Sequence, residues 1–166
     1  MELATATVSA QQTGVKGILW GGALAGVLDL TYAFVMSGLR GRTPLAVLRS
    51  VASGLLGESA AQGGAGVAAL GAFLHFVVAF GAAAVYFLAS RRLRFLVQHA
   101  VVSGILFGIA VYAFMNLVVI PLSAFPFNVS YPLRVLVPGL LAHMFLVGLP
   151  ISLSVRRFSA RQPQTR

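Results

Sequence analysis

The sequence predicts an all-α integral membrane protein, a four-helix bundle with an amphipathic interfacial helix between spans one and two. Four apolar runs are long enough to cross a bilayer as helices, which requires about 20 residues each. The chain has 166 residues, is 58% hydrophobic and has a mean hydropathy of +0.92. Only 9% of its residues are charged, against about 25% in soluble domains. A soluble fold of this composition could not cover its own surface with polar groups.

The first predicted span covers residues 17–39, GILWGGALAGVLDLTYAFVMSGL, and follows a polar N-terminal tail at 1–16. It carries a single charge, Asp29, near its middle. A carboxylate at that depth costs roughly 2.5–3.5 kcal/mol on insertion scales, so it needs a partner. Asp29 shares a helix face with Gly22 and Gly26, a small-residue pair that lets another helix approach. The aspartate is therefore expected to face the interior of the bundle.

The interfacial helix is predicted at residues 43–58. Thr43 has the character of an N-cap, and Pro44 suits the first helical position. Leucine, valine and alanine then recur at helical spacing, with Arg49 and serines between them. The segment is too short and too polar to span a bilayer, which favours a helix lying in the interface. A re-entrant segment is the alternative.

The remaining spans are predicted at about 65–90, 100–122 and 135–155, within a single membrane domain at 17–158 that is followed by a C-terminal tail at 159–166. Each contains small residues at helix-packing spacing and one polar side chain near its centre or in its outer half. These side chains are His75, Asn116 and His143. Counting residues at a rise of about 1.5 Å places them in one layer with Asp29.

A candidate intramembrane site follows from that layer, and it comprises Asp29, Tyr32, His75, Tyr112, Asn116 and His143. One interpretation is structural, because buried polar pairs hold transmembrane helices together by about 0.6–2 kcal/mol each. The second is functional: a carboxylate beside an imidazole can relay protons or bind a cation or a small polar ligand. In the third, His75 and His143 ligate a haem, or join Asp29 around a divalent metal. No cofactor is required by the first two interpretations.

Positive charge indicates the orientation and the expected lipid contacts. With the N-terminus inside, eight of the twelve Lys and Arg residues lie on the cytoplasmic side and four on the outer side. This bias predicts that both termini are cytoplasmic. The inner arginines are expected to contact anionic lipid headgroups, and these are Arg91, Arg92, Arg94, Arg156 and Arg157. A homo-oligomer is left open as a further partner.

Several functions are disfavoured by the sequence. The net charge of +9 could indicate nucleic acid binding, but the arginines flank apolar runs instead of covering one helix face. The absence of cysteine excludes disulfides, thiolate metal sites and cysteine nucleophiles. The hydrolase motifs Gly-x-Ser-x-Gly and His-Glu-x-x-His do not occur. We therefore predict a protein that is not an enzyme and does not bind nucleic acid.

Five sequence segments resemble a group of small bacterial inner-membrane proteins to which no biochemical activity is assigned. The segments are GGALAGVLD, VASGLLGESAAQGG, LGAFLHF, MNLVVIPLSAFP and GLLAHMFLVGLPI. Together they extend the resemblance over residues 17–158. It implies a four-span membrane protein in a bacterium, and it implies no functional residues.

Overall fold

The computed structural model describes the backbone of residues 2–126 and 132–159, with side chains from residue 14 onward. Within these ranges the chain is helical and contains no strand. The helices are α1 (Glu2–Gly38), α2 (Pro44–Leu56), α3 (Ala65–Arg92), α4 (Phe95–Gln98), α5 (Ala100–Leu122) and α6 (Leu133–Ser159). Four of them are long and apolar enough to cross a membrane, which are α3, α5, α6 and the Gly14–Gly38 part of α1. The predicted all-α fold with four candidate spans is confirmed.

The first helix begins earlier than the sequence analysis expected. Residues 2–16, predicted as a tail, continue the helix of the first span back to Glu2. Alanine, leucine and glutamine in this stretch favour helix, and neither glycine nor proline interrupts it before Gly14. At the other end, α6 runs on to Ser159. The remainder of the predicted C-terminal tail, 160–166, lies outside the described residues.

The amphipathic helix α2 is capped as predicted. The Thr43 hydroxyl accepts a hydrogen bond from the N–H of Ala46 at 3.2 Å, and Pro44 occupies the first helical position. The helix ends at Leu56 and is followed by Gly57, whose φ of +64° suits glycine and which begins a 3₁₀ helix at Gly57–Gln62. α2 lies against the N-terminal part of α3, where a Cβ at Gly71 would collide with the carbonyl oxygen of Leu48.

The two central helices of the bundle are α1 and α6, which pack along each other. At this interface, Cβ atoms at Gly17 and Gly21 would lie 3.4 and 3.2 Å from the Cα atoms of Val155 and Ile151. Helix α3 packs on α1, and α5 packs on α6. The bundle therefore places α3 and α5 on the flanks of a central pair.

The core lies at the end of the bundle where α1 begins and α6 ends. Its buried side chains are Ala25, Ala83, Tyr86, Val147, Ile151 and Val155. Tyr86 is the largest of them, and its hydroxyl donates a hydrogen bond to the carbonyl oxygen of Leu96 at 2.8 Å. Its ring also meets Phe107 edge-on, with centroids 4.9 Å apart. Tyr86 thus joins α3 to α5 and to the short connection that contains α4.

Two spans contain a widened π turn, Met115–Val119 in α5 and His143–Gly148 in α6. In each turn an N–H reaches back five residues, from Ile120 to Met115 and from Leu149 to Met144. Each turn ends two residues before a proline, at positions 121 and 150. Proline lacks an N–H, and its ring clashes with the carbonyl four residues earlier. A local change of helical pitch accommodates both defects without ending the span.

Candidate intramembrane polar site

Asp29 meets His143 between the two central helices. The carboxylate oxygen Oδ1 lies 4.0 Å from the imidazole Nδ1, and each side chain is 21% exposed. This distance exceeds that of a hydrogen bond. The pair is therefore an ion pair when the imidazole is protonated. The sequence does not distinguish His75 from His143 as the partner of Asp29, and the structure places His143 beside it.

The backbone of α6 determines the tautomer of His143. Nδ1 lies 3.0 Å from the carbonyl oxygen of Gly139, one turn earlier in the same helix. A carbonyl can only accept a hydrogen bond, so Nδ1 carries the hydrogen in this contact. Nε2 is then the nitrogen of the neutral ring that gains or loses a proton. Protonation at Nε2 creates a cation whose nearest described carboxylate is that of Asp29.

Tyr112 and two glycines determine the position of the imidazole. The Tyr112 ring meets the His143 ring edge-on, with centroids 5.1 Å apart. A Cβ at Gly139 would lie 3.1 Å from the Tyr112 ring, so glycine leaves space for the tyrosine. On α5, a Cβ at Gly108 would collide with the carbonyl oxygen of His143. The close approach of α5 to α6 thus positions Tyr112 against the histidine.

His75 lies nearby but makes a different contact. Its Nε2 lies 2.9 Å from the carbonyl oxygen of Gly26 and donates a hydrogen bond to it. Gly26 precedes Asp29 by three residues, or about 4.5 Å along the helix axis. The imidazole also packs edge-on against Phe76, with centroids 5.6 Å apart. His75 therefore joins α3 to the backbone of α1, one turn from the ion pair.

Asn116 and Tyr32 flank the pair along the helices. The Asn116 side chain donates through Nδ2 to the carbonyl oxygen of Tyr112 at 2.7 Å. This bond lies where α5 widens into its π turn, so the side-chain amide supports the irregular backbone. Tyr32 follows Asp29 by three residues and shares its side of α1. The structure thus brings Asp29, Tyr112 and His143 together. Tyr32 and Asn116 lie about one turn from Asp29 and Tyr112 on the same helices, and His75 contacts the backbone of α1 at Gly26, one turn from Asp29.

The third interpretation, a metal or haem site, needs its ligands in one place. Within the part of the chain that the structure describes, no three His, Asp or Glu side chains form a metal-ligand group. Nε2 of His75 is directed to a backbone carbonyl. Nδ1 of His143 is directed to another. Of the three predicted ligands, His143 and Asp29 therefore lie together, whereas His75 makes a separate contact with the backbone of α1.

The main-chain oxygens of Gly26, Tyr112 and Gly139, which accept the hydrogen bonds of the site, were not predicted from the sequence. They have no sequence signal, since every residue carries a carbonyl. The π turns that reshape the site were also missed, although the prolines at 121 and 150 were available as a signal. Comparison with protein-family models, curated proteins and solved structures gave no match.

Proposed function

We propose that this multi-pass protein lies in the bacterial inner membrane and that its Asp29–His143 pair takes up and releases a proton. The separation of 4.0 Å between Oδ1 and Nδ1 carries this proposal. In apolar surroundings an isolated carboxylate is costly. A proton on either group makes the pair neutral overall. The pair is therefore a built-in acceptor for one proton.

The proposal places proton exchange at one nitrogen of the imidazole ring. Because Nδ1–H donates to the carbonyl of Gly139, exchange takes place at Nε2 of His143. Each side chain of the pair is 21% exposed on the isolated chain, so the surrounding helices do not fully enclose either one. No covalent step and no cofactor are needed, so the proposal is for a proton-handling membrane protein and not for an enzyme.

Orientation and lipid contacts complete the proposal. The end of the bundle with Lys16 also holds the five exposed arginines already proposed as lipid contacts. We assign this end to the cytoplasm by the positive-inside rule, with anionic lipid headgroups as its partners. Asp29 and His143 then lie within the bilayer.

Proton flux into proteoliposomes tests the proposed function. The purified full chain is reconstituted with a pH-sensitive dye inside the vesicles, and a potassium diffusion potential drives protons inward. We expect flux above that of empty vesicles. Asp29→Asn removes the charge that balances the imidazolium, and His143→Gln removes the acceptor nitrogen. Each substitution should reduce the flux to the background of empty vesicles.

His75→Gln provides the matched control. It alters a histidine of similar depth that lies outside the ion pair, and glutamine can still donate to the carbonyl of Gly26. We expect this variant to keep its flux. Wild-type vesicles no leakier than empty ones would contradict the proposal, as would equal flux in the wild type and the Asp29→Asn variant.

A structural role is the second candidate, and a specific observation favours it. The side chains of His75, Asn116 and His143 all donate to main-chain carbonyls, as helix-stabilising groups do. In that case the protein is an accessory subunit whose polar groups hold its helices together. Loss of folded protein in the Asp29→Asn variant, with no flux in the wild type, would favour this role.

A further inference from the structure

A cavity of about 180 Å³ opens at the end of the bundle that holds α2. Residues 46, 49, 50 and 53 line one side of it from a single face of α2, and Arg42 joins them from just before the helix. The 3₁₀ helix at Gly57–Gln62 and Pro126, from the segment after α5, complete the lining. Ala124 donates its N–H to the carbonyl of Gly54 at 2.9 Å and keeps that segment against α2. The cavity is distinct from the Asp29–His143 site.

Arg49, which lines this cavity, also carries an unsatisfied donor. Its Nε is buried, and no atom of the described residues accepts a hydrogen bond from it. A buried charged donor without an acceptor is costly. Arg42 lines the same cavity. Among the side chains of residues 14–126 and 132–159, the ion pair is that of Asp29 with His143, so neither arginine is in one. The cavity thus offers two guanidinium groups that lack a carboxylate partner within the described chain.

Glu58 supplies the opposite charge on the same lining. It is exposed and does not pair with either arginine among the described side chains. The hydroxyl of Ser53 is already committed to the carbonyl of Ser50 at 2.7 Å. The cavity is therefore lined by two arginines and one glutamate that form no ion pair with each other. A ligand that carries both signs of charge would complement it.

We propose that this cavity binds a phosphate group that is joined by a short linker to an ammonium group, as in phosphoethanolamine. The phosphate oxygens accept hydrogen bonds from the guanidinium groups of Arg42 and Arg49, because guanidinium groups match the geometry of phosphate. The ammonium faces Glu58. This chemistry is found both in free phosphoethanolamine and in the headgroup of phosphatidylethanolamine, which lies at the depth of an interfacial helix.

Native mass spectrometry of the full chain in detergent tests the proposal. The probes are phosphatidylethanolamine, phosphatidylglycerol, which has a phosphate without an ammonium, and free phosphoethanolamine. The wild type should retain phosphatidylethanolamine in preference to phosphatidylglycerol. Arg49→Gln should weaken retention by about tenfold or more, the value of a lost charged hydrogen bond. Arg40→Gln removes an exposed charge outside the cavity lining and should leave retention unchanged.

Two further variants separate binding from folding. Glu58 is exposed, so Glu58→Gln should fold normally. It should abolish the preference for phosphatidylethanolamine over phosphatidylglycerol while phosphate binding persists. Arg49→Lys keeps the positive charge but lacks the planar guanidinium group, so it should lose affinity while its unfolding midpoint in the absence of lipid is no lower than that of the wild type.

The measurements with phosphatidylethanolamine and with free phosphoethanolamine distinguish the two sources of the ligand. Displacement of the lipid by free phosphoethanolamine would show that the headgroup suffices, and retention of the lipid alone would identify a bilayer component. Both results support the proposed chemistry. Equal retention of the two lipids by the wild type would overturn it, and so would equal losses in the Arg49→Gln and Arg40→Gln variants.

Discussion

The polar side chains within the spans bond chiefly to the backbone. His75 and His143 each donate to a glycine carbonyl, and Asn116 donates to that of Tyr112. Asp29 differs because a carboxylate has no donor of its own and must meet one on another helix. The sequence therefore identifies the polar residues and their common depth. It does not predict the partners of the donors, because every turn of helix offers carbonyls that compete with side-chain acceptors.

Substitution of His75 tests the contact between α3 and the backbone of α1. His75→Leu removes the donor to Gly26, and we expect a loss of about 0.6–1.7 kcal/mol in unfolding free energy. His75→Gln retains a donor and should lose less. Titration with SDS, followed by the fluorescence of Trp20, the single tryptophan, measures both. Equal stability of the leucine variant and the wild type would mean that the hydrogen bond contributes nothing.

At the scale of the helices, two glycine pairs with the same spacing have different roles. Gly104 and Gly108 admit the backbone of α6 at close range, as the spacing predicts. Cβ atoms at Gly22 and Gly26 would instead meet the rings of Phe80 and Phe76. The spacing alone cannot distinguish these outcomes, because the result depends on whether the partner presents backbone or an aromatic ring.

Adding a single methyl group is expected to lower stability at Gly108, in the α5–α6 interface, but not at Gly81. Gly108→Ala would place a Cβ against the carbonyl of His143, which a packed helix cannot easily move. Overpacking of this kind costs about 1–3 kcal/mol. The control is Gly81→Ala, since a Cβ there meets no atom within 4 Å. Unfolding in SDS should separate the two variants, and similar stabilities would refute the close approach.

At the scale of the whole molecule, the number of spans was predictable and their arrangement was not. Hydropathy and length specify four helices, because lipid excludes any other form for these segments. The choice of α1 and α6 as the central pair depends on the fit between apolar surfaces. All four spans carry small residues that suit packing, and lipid provides no hydrophobic force to rank the pairs.

The orientation of the bundle predicts a labelling pattern. The chain lacks cysteine, so single substitutions give unambiguous sites. Arg40→Cys and Arg91→Cys place exposed thiols at opposite ends of the bundle. With cytoplasmic termini, a membrane-impermeant maleimide added to intact cells or spheroplasts should label the first variant and spare the second. Detergent should then expose both, and the reverse pattern would invert the proposed topology.

The central position of α6 has a consequence for biosynthesis. While the ribosome is still translating the residues that precede Leu133, α1 and α3 can already associate, but the long partner of α5 has not yet been made. Helix α5 can join the bundle only after α6 has been made, because α6 lies between α1 and α5. Quality control in the membrane should therefore act mainly on chains that lack α6, and frameshifts after residue 132 should yield rapidly degraded protein.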